Sequence, residues 1–338
     1  MNPTKVISFG EALIDRLGPL GGDPAIDQPV TNCFGGAPAN VACALSRLGV
    51  DVTFIGALGN DSFGHNFKNL IIDREINTVG LQEDKLRPTR IVLVRRDHSG
   101  ERTFGGFAGE KGFGFADQAI SLDQIVKDWP FISDQAKWLV IGTIPMASKI
   151  SAEAFSWCIQ KANHQGIKIV LDLNWRPTFW RSELSKEEAP SAQEVNMIQP
   201  ILNKVSLIKL AKEEAQWFFK SVNPQEISLT MPQKPSVIVT DGANPVHWFI
   251  NKNLGNTNSI SPPKIVDTTG AGDAFTAGLI YKLLSAELDC LTYKMAEEII
   301  RFAIGCGAYV CQGIGAIDSQ PYLEDIDNLL SLSSGAIS

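Results

Sequence analysis

Short runs of valine, isoleucine and leucine alternate along most of this chain with stretches of helical periodicity. The strand-like runs are Val6–Phe9, Val52–Ile55, Trp138–Ile141, Lys168–Leu171, Ser206–Lys209 and Ser236–Thr240. The helix-like stretches are Asn40–Leu48, Phe63–Asp73, Ala152–Gln165 and Glu213–Phe219. Strands that are apolar at successive positions are typical of a parallel sheet buried on both faces. The pattern therefore predicts an α/β fold whose mostly parallel sheet is covered by helices on both sides.

Two turn-rich segments, residues 11–34 and 88–106, interrupt this alternation. Within the second segment, Pro88–Arg96 and Glu101–Phe104 are predicted strands, joined by a tight turn at Asp97–Gly100. Neither segment has the periodicity of a helix. Together they predict a small β-sheet that projects from the main domain as a lid.

Composition narrows the classes of partner. The 338 residues are 44% hydrophobic and carry a net charge of −7 without a long block of like charge, which argues against nucleic-acid and anionic-membrane partners. We find no apolar run of about 18 residues and no signal-peptide pattern. The six cysteines are scattered without a CxxC pair, as is typical of thiols in a reducing compartment. We expect a cytoplasmic protein with one domain over residues 1–330 and a flexible Ser/Gly-rich tail at 331–338.

The strongest chemical motif is Asp267-Thr-Thr-Gly-Ala-Gly-Asp273, which precedes a helix-like stretch from Phe275 to Ala286. A glycine-rich turn that opens a helix directs backbone N–H groups and the positive end of the helix dipole at one point, where an anion such as phosphate binds. Asp273 would repel that phosphate, so its presence indicates a task, namely taking the proton from an attacking hydroxyl. The motif indicates phosphoryl transfer to an alcohol; the alternative is that Asp273 is an ordinary N-cap.

A second motif, Gly35-Gly-Ala-Pro-Ala-Asn40-Val-Ala42, also leads into a predicted helix. Gly35 and Gly36 allow a ligand to approach the backbone closely, and Asn40 can both donate to and accept from a sugar hydroxyl. The alternative, which is the commoner meaning of such a motif by itself, is a helix-entry loop with Asn40 as its cap.

A third motif, Leu171-Asp-Leu-Asn-Trp-Arg-Pro177, ends a buried strand with the polar residues Asp172, Asn174 and Arg176. Ligands of open parallel sheets bind at the carboxyl ends of the strands, so these residues are well placed for a site. Arg176 could stabilise a transferring phosphate, or it could form a structural salt bridge.

Two weaker signals also follow predicted strands. Thr240-Asp-Gly242 could contact a nucleotide phosphate, although any edge turn looks similar. Lys209–Glu214 ends in two carboxylates, which could orient a hydrated Mg²⁺ or simply complement a helix dipole. The chain has no GxxxxGK[ST], strand-associated GxGxxG, HExxH or GxSxG motif, which excludes a P-loop nucleotide site.

These motifs, in this order, resemble the ribokinase-like PfkB family of carbohydrate kinases. The resemblance covers nearly the whole chain, from about residue 6 to residue 321, and rests above all on Gly35–Ala42 and Asp267–Phe275. The segments most similar to fructokinases are Gly10–Asp15, Gly35–Asn40 and Asp172–Pro177. The resemblance implies a three-layer α/β/α core with a β lid, a sugar beneath the lid, and ATP across the carboxyl ends of the strands.

Matched residue by residue, the resemblance also implies roles in the site. Asp273 would be the general base, with an anion hole formed by Gly270, Ala271 and Gly272. The residues that would hold the sugar are Asp15, Gly35, Gly36, Asn40 and Asn174, with Arg176 near the transferred phosphate. The nucleotide would contact Thr240, Gly242, Gly270 and Gly272. Glu214 would occupy the Mg²⁺-linked position, Asp267 and Thr269 would help to bind a monovalent cation, usually K⁺, and Gly313–Ser319 would close the nucleotide and cation sites.

Two positions depart from the family pattern. Ala211 stands where the family has an asparagine three residues before Glu214, so the network that orders the metal can differ. Pro245 stands near a usual glycine, so the nucleotide loop can have a different shape. Neither position belongs to the base or the anion hole.

The sequence therefore predicts an ATP-dependent phosphotransferase that converts fructose to fructose 6-phosphate, with Mg²⁺ and K⁺ as its cofactors. By analogy with relatives we expect a homodimer formed through the lid. The alternatives are 2-keto-3-deoxygluconate, ribose or a nucleoside as the acceptor. A protein of another class, a non-catalytic sugar or nucleotide sensor, would retain the same fold.

A ketoacid acceptor would need an additional cation near the lid. The lid supplies Arg90, Arg95, Arg96 and Arg102. Strand alternation places Arg90, Val92, Val94 and Arg96 on one face and Ile91, Leu93 and Arg95 on the other. The alternation leaves open which of these faces meets the sugar.

Overall fold

A nine-stranded sheet forms the centre of the protein, which we describe from a computed structural model over residues 5–98, 102–185 and 187–335. The strands of the whole described chain are β1 (Val6–Phe9), β2 (Leu13–Leu20), β3 (Thr31–Gly35), β4 (Val52–Gly59), β5 (Leu81–Asp84), β6 (Ile91–Arg96), β7 (Arg102–Ala108), β8 (Trp138–Ile141), β9 (Lys168–Asp172), β10 (Leu207–Ala211), β11 (Ser236–Thr240), β12 (Val246–Ile250) and β13 (Asn253–Thr257). The large sheet has the order β13-β12-β11-β10-β9-β8-β1-β4-β5. Neighbouring strands of this sheet pair in parallel, except for the antiparallel pairs β11–β12 and β12–β13 at one edge.

Helices cover both faces of this sheet. They are α1 (Ala37–Arg47), α2 (Ser62–Asp73), α3 (Leu122–Ile132), α4 (Lys149–His164), α5 (Pro177–Trp180), α6 (Ala192–Leu202), α7 (Lys212–Phe219), α8 (Pro224–Leu229), α9 (Ala271–Leu283), α10 (Tyr293–Val310) and α11 (Leu323–Gly335). Alternate residues of one strand supply the two cores: Val6 of β1 packs with α1, α9 and α10, whereas Ile7 and Phe9 pack with α3 and α4. The predicted three-layer α/β/α fold is confirmed, and the apolar runs of the sequence are the strands with both faces buried.

A second sheet has four strands in the order β3-β2-β6-β7. It comprises the two turn-rich segments that interrupt the α/β pattern, with β2 parallel to β6 and antiparallel neighbours on either side. The predicted small sheet is therefore present. Residues 99 and 100 of the predicted turn at Asp97–Gly100 lie outside the described residues.

Two helices begin earlier than the sequence predicts. Helix α9 starts at Ala271 rather than Phe275, and α1 starts at Ala37 rather than Asn40. Their N-caps are glycines with φ of 82° and 102°, conformations that glycine adopts without strain. The interpretations of Asp273 and Asn40 as helix caps are therefore wrong, because both side chains lie within the first turns.

The last helix extends into the segment predicted as a tail. Helix α11 includes residues 331–335 of the predicted flexible tail, and Ile326 and Leu329 bury its inner face. Residues 336–338, the rest of the predicted tail, lie outside the described residues.

Candidate active site

Glycines bring the start of helix α1 against the segment that follows β1. A Cβ atom at Gly10 would lie 2.4 Å from Pro38 Cγ, and a Cβ atom at Gly36 would lie 2.5 Å from the carbonyl oxygen of Glu11. Side chains at these positions would force the two segments apart. Because β1 ends here, the contact places the glycine motif at the carboxyl edge of the large sheet, where ligands of such sheets bind.

Asp273 is the third residue of helix α9, and the structure places it at this edge. In the first turn of a helix the N–H groups of Gly272 and Asp273 have no intrahelical partner, whereas Ala271 N–H donates to Thr268 O at 3.3 Å. Burial raises the pKa of Asp273 to about 6, while its hydrogen bond from Asn40 acts in the opposite direction. The site thus combines an anion-binding helix terminus with a carboxylate that is ionised near neutral pH.

Asn40 and Asp273, which are 233 positions apart, are in direct contact. Asn40 Nδ2 donates to Asp273 Oδ2 at 2.7 Å. Asn40 Oδ1 is buried and has no hydrogen-bond partner among the described residues. One end of the amide therefore orients the carboxylate, and the other end is a buried acceptor that no described residue uses.

A buried ion pair lies beneath the first turn of α9. Lys209 Nζ is 3.0 and 3.2 Å from the two carboxylate oxygens of Asp172, and Thr276 Oγ1 donates to Asp172 Oδ2 at 3.0 Å. A Cβ atom at Gly272 would lie 3.0 Å from Lys209 Nζ, so glycine allows this close approach. Burial lowers the pKa of Lys209, but the carboxylates of Asp172, Glu214 and Asp273 outweigh it and the net shift is upward. Lys209 therefore stays charged.

Asp15 lies on β2 of the small sheet, beside the glycine motif. A Cβ atom at Gly35 would lie 2.6 Å from Asp15 Oδ2, so only glycine leaves room for this carboxylate. Asp15 is in register with Cys33 and Val92, and cross-strand neighbours share a face. A Cβ atom at Gly315 would lie 3.9 Å from Cys33 Sγ, which shows that this face approaches the main domain. The face of the small sheet that carries Asp15, Cys33 and Val92 is therefore the one turned toward the site.

Glu11 supports the same motif from beneath. Its Oε1 accepts the N–H of Ala37 at 3.1 Å, and its Oε2 has no partner among the described residues. Burial raises the pKa of Glu11 to about 8, with Asp117 and Asp273 adding to the shift. A neutral carboxyl group therefore lies under the glycine motif at pH 7.

The segment that carries Asn174 and Arg176 is tied to helix α7. Glu214 Oε1 accepts the N–H of Trp175 at 2.7 Å and Glu214 Oε2 accepts the N–H of Ala211 at 2.8 Å. Asn174 is buried with φ of 45°. Arg176 is exposed, and its guanidinium donates to Trp175 O at 3.0 Å. Within the described residues no salt bridge is found for Arg176, so the structural salt-bridge interpretation is not supported.

The turn before α9 is closed by a carboxylate. Asp267 Oδ1 accepts the N–H and the hydroxyl of Thr269, and Asp267 Oδ2 accepts the N–H of Gly315 at 2.9 Å. A Cβ atom at Gly270 would lie 2.6 Å from Ala316 Cβ. Gly315 and Ala316 of the Gly313–Ser319 segment therefore contact this turn, and closure of the nucleotide and cation sites by that segment stays a prediction.

A cavity of about 290 Å³ lies next to the first turn of α9, between the end of β11 and helix α10. Its lining includes Thr240, Gly242, Val246, Ile260, Gly272, Phe275 and Ala308. Gly242 has φ of 53°, and Thr240 Oγ1 donates to Leu210 O at 3.2 Å. The cavity is mostly apolar and opens beside the anion-binding turn.

Three residues of this arrangement were not identified from the sequence as parts of a site. The sequence could have indicated Lys209, because a charged residue within an apolar strand needs a partner of opposite charge on a neighbouring strand. Glu11 and Gln320 had no signal that we recognise; Gln320 Nε2 donates to Asn40 O at 2.8 Å and so fixes the turn that carries Asn40. Among the described residues, no cluster of three or more His, Cys, Asp or Glu side chains could hold a metal ion.

The chain has a three-layer α/β/α fold with a small sheet over its carboxyl edge. A carboxylate lies at a helix terminus suited to bind an anion, with a cavity beside it. Together these features are typical of a small-molecule kinase of ribokinase-like fold. The model of the pfkB family of carbohydrate kinases matches residues 3–323, and the chain belongs to that family. It is thus a phosphotransferase with an alcohol acceptor.

Fructokinases of plants and bacteria are similar to this chain. The chain is 30% identical to probable fructokinase-4 of Arabidopsis thaliana over 331 residues, 96% of each chain. The structure of Xylella fastidiosa fructokinase with bound ATP has a TM-score of 0.82, is 27% identical, and the match covers 98% and 99% of the two chains. Vibrio cholerae O395 fructokinase was solved with fructose, ADP and a calcium ion (TM-score 0.80, 26% identical, 97% and 99% covered). A double mutant of that enzyme was solved with fructose, ADP and a potassium ion (TM-score 0.79, 25% identical, 97% and 98% covered).

No helix in the described part of the chain has both the length and the apolar composition that a membrane span requires.

Proposed function

We propose that this kinase transfers the γ-phosphate of ATP to O6 of fructose. The observation that carries the proposal is the Asn40–Asp273 contact, which joins the expected sugar-binding motif to a carboxylate at an anion-binding helix terminus. The fructokinases similar to this chain support the choice of acceptor.

In the proposed reaction, the sugar lies between Asp15 of the small sheet and Asn40 of helix α1, with Gly35, Gly36 and Asn174 close to it. The sugar hydroxyl gives its proton to Asp273 as its oxygen attacks phosphorus. The bond from oxygen to the γ-phosphorus forms, and the bond from that phosphorus to the ADP oxygen breaks.

The growing negative charge is stabilised by the first turn of α9, that is by the N–H groups of Ala271, Gly272 and Asp273, and by Arg176. The Ala271 N–H exchanges its 3.3 Å bond to Thr268 O for the phosphate. Closure of the small sheet over the sugar excludes water, the competing nucleophile.

The cavity beside α9 suits the base of ATP. Its apolar lining matches the faces of a purine, and Thr240 and Gly242 lie at its edge beside the phosphate-binding turn. The Xylella fastidiosa fructokinase solved with bound ATP supports ATP as the nucleotide.

The two metal ions fit the residues present to different degrees. Mg²⁺ in kinases is held largely by phosphates and water with one or two carboxylates, and Glu214 is the carboxylate proposed for it here. Glu214 would order its water shell, since each carboxylate oxygen retains a lone pair beyond its backbone bond. A K⁺ ion would bind at Asp267 and Thr269 and fix the turn that presents Gly270. Bound Mg²⁺ would neutralise phosphate charge.

The lid arginines favour a neutral sugar over a ketoacid. Arg90 is bound to Asp117, Arg95 to Asp23 at 2.8 Å, and Arg96 Nε donates to Gly18 O. Arg90 and Arg95 are thus already paired with carboxylates of the protein, whereas Arg96 is bound only to a backbone carbonyl. The side chain of Arg102 lies outside the described residues.

We further propose a cytoplasmic enzyme, for which the absence of disulfides among its six cysteines is the support. The exposed edge strands of the small sheet are a candidate dimer contact. Sugar and ATP are its proposed partners.

The test is ADP release from ATP and Mg²⁺ with fructose, ribose, 2-keto-3-deoxygluconate, glucose or adenosine, each with and without K⁺. We expect turnover with fructose and stimulation by K⁺. Turnover with another acceptor alone would overturn the choice of fructose, and sugar binding without turnover in the folded protein would favour a sensor.

Asp273→Asn tests the base with little change of shape. We expect kcat to fall at least about a hundredfold, because proton removal by a general base contributes this much, while sugar binding measured by calorimetry is largely retained. A variant within a few-fold of the wild-type kcat would remove Asp273 from its proposed role.

A further inference from the structure

Arg90 is a buried cation that the reaction proposed above does not use. It immediately precedes β6 and is 3% exposed. Its Nε and Nη2 donate to the two carboxylate oxygens of Asp117 at 2.8 and 3.1 Å, a bidentate pair that fixes the plane of the guanidinium. Asp117 is also buried, so the pair is rigid and inaccessible.

Three phenylalanine rings surround this guanidinium. Its carbon lies 4.8 Å from the ring centre of Phe107, 4.5 Å from that of Phe115 and 4.9 Å from that of Phe179. The rings also contact one another, with Phe107 5.2 Å from Phe179 and 5.8 Å from Phe115. We call Arg90, Asp117 and these three residues the Arg90 cluster.

The three rings come from different parts of the fold. Phe107 belongs to β7 of the small sheet, Phe115 precedes Asp117 in the following segment, and Phe179 belongs to helix α5. The carbonyl of Arg90 accepts the N–H of Ile14 at 2.9 Å, which adds strand β2. The Arg90 cluster therefore joins the small sheet to the α5 turn.

Phe179 leads directly to Arg176. Arg176 is the N-cap of α5, and its carbonyl accepts the N–H of Phe179 at 3.0 Å. The Arg176 guanidinium donates to the carbonyl of its own neighbour, Trp175. Because this contact is local, the backbone of the turn sets where this exposed arginine lies.

We propose that Phe179, held on the guanidinium of Arg90, is a positioning residue for Arg176. The proposal rests on the proposed function, in which Arg176 meets the transferred phosphate. A buried cation surrounded by three rings at 4.5 to 4.9 Å restrains the place of Phe179, and the short α5 turn passes that restraint to Arg176. Misplacement of such a group by about 1 Å can cost roughly a hundredfold in rate.

The obvious variant, Arg90→Met, leaves Asp117 buried without its cation and can simply unfold the protein. Phe179→Leu is sharper because it spares the ion pair. Phe115→Leu is the matched control, the same change on the same guanidinium at a ring not attached to the Arg176 turn. We expect Phe179→Leu to lower kcat roughly tenfold or more with the KM for the sugar within about twofold, and Phe115→Leu to leave both within about twofold. Equal effects on kcat, or none from Phe179→Leu, would overturn the proposal.

A double variant separates positioning from general loosening. If Phe179 acts through Arg176, adding Phe179→Leu to Arg176→Met lowers kcat by less than about twofold beyond Arg176→Met alone. If the double variant instead loses kcat by the product of the two single-variant factors, Phe179 acts independently of Arg176, and the proposal is overturned.

Crystal structures of the two leucine variants give a readout that does not depend on turnover. We expect the Arg176 turn to be displaced in Phe179→Leu and unmoved in Phe115→Leu; an unmoved turn in both would overturn the proposal. A wild-type protein without sugar-dependent turnover, together with a displaced turn in Phe179→Leu, would refute the proposed function and leave the positioning role supported.

Discussion

In its proposed role as general base, Asp273 must be ionised to accept a proton, yet its burial opposes ionisation. The compromise is set by its neighbours: Asp172 raises the pKa of Asp273 further, whereas Asn40, Lys209 and Arg176 lower it. The resulting pKa of about 6 is close to the pH of a neutral compartment, which suits a general base.

This balance predicts the pH dependence. As pH falls through about 6, Asp273 becomes protonated and kcat/KM should fall about tenfold per pH unit. Asn40→Ala removes a hydrogen bond that favours the charged form, so the acidic limb should move to higher pH. The measurement is kcat/KM for the sugar, assayed at pH values from about 4.5 to about 9, in the wild-type protein and in Asn40→Ala. An acidic limb at the same pH in both proteins would contradict the assignment.

Lys209 and Lys212 offer a matched comparison of ion pairs. Lys209 lies 3.0 Å from Asp172, and Lys212 lies 2.9 Å from Asp241. The side chains of Lys209 and Asp172 are each 9% exposed, whereas the Lys212 side chain is 51% exposed. Lys209→Met strands a buried carboxylate and should lower the free energy of unfolding by about 3–5 kcal/mol. Lys212→Met should cost at most about 1 kcal/mol. Denaturant unfolding at pH 7 measures both, and similar losses would show that burial does not control the difference.

At the scale of elements, the first turn of α9 depends on its N-cap. Gly270 has φ of 82° and its missing side chain leaves room for Ala316, so the glycine serves the backbone conformation and the packing together. Sequence reasoning placed the start of this helix four residues too late, because the Gly-Ala-Gly composition has low helix propensity and the packing of residues 315–316 is not visible locally.

Gly49 is a control that separates the positive φ of Gly270 from its packing against Ala316, because Gly49 has the first feature without the second. Its φ is 81°, and a Cβ atom there would meet nothing within 4 Å. Gly49→Ala should cost about 1–2 kcal/mol through backbone strain and leave kcat unchanged. Gly270→Ala should cost more and lower kcat at least about tenfold, since the turn must move from Ala316 and carries the N–H groups that bind phosphate. Thermal unfolding and steady-state kinetics compare them; equal effects on kcat would be the contrary outcome.

At the scale of the whole molecule, burial separates the cysteines. Cys43, Cys158, Cys306 and Cys311 are buried, Cys33 is half-buried on the site face of the small sheet, and Cys290 is exposed. Burial raises the pKa of Cys43 and of Cys306 to about 12, which suppresses their reactive thiolates.

A thiol reagent should therefore label Cys290 and Cys33 in the native protein and the other four only on unfolding. Fructose with a non-hydrolysable ATP analogue should slow labelling of Cys33 several-fold by covering the site face, while Cys290 serves as the internal control. Peptide mass spectrometry resolves each position. Equal protection of both cysteines, or of neither, would contradict closure over the site.

What the sequence determined by itself was local. Apolar runs specify strands buried on both faces, glycine turns specify helix entries, and the Asp267–Asp273 motif specifies the anion site, because each depends on neighbours along the chain. The layers and the small sheet followed from such patterns, whereas the placement of Asp15 beside the glycine motif was implied only by the family resemblance.

Only the tertiary structure decided which side chains meet. Asn40 reaches Asp273 across 233 positions, and Lys209 reaches Asp172 because β9 and β10 align in register. Arg90, a candidate substrate-binding cation in the sequence, is instead enclosed by Asp117 and three rings. Register, burial and the partner of a charge depend on distant segments brought together by the core, and no local pattern records them.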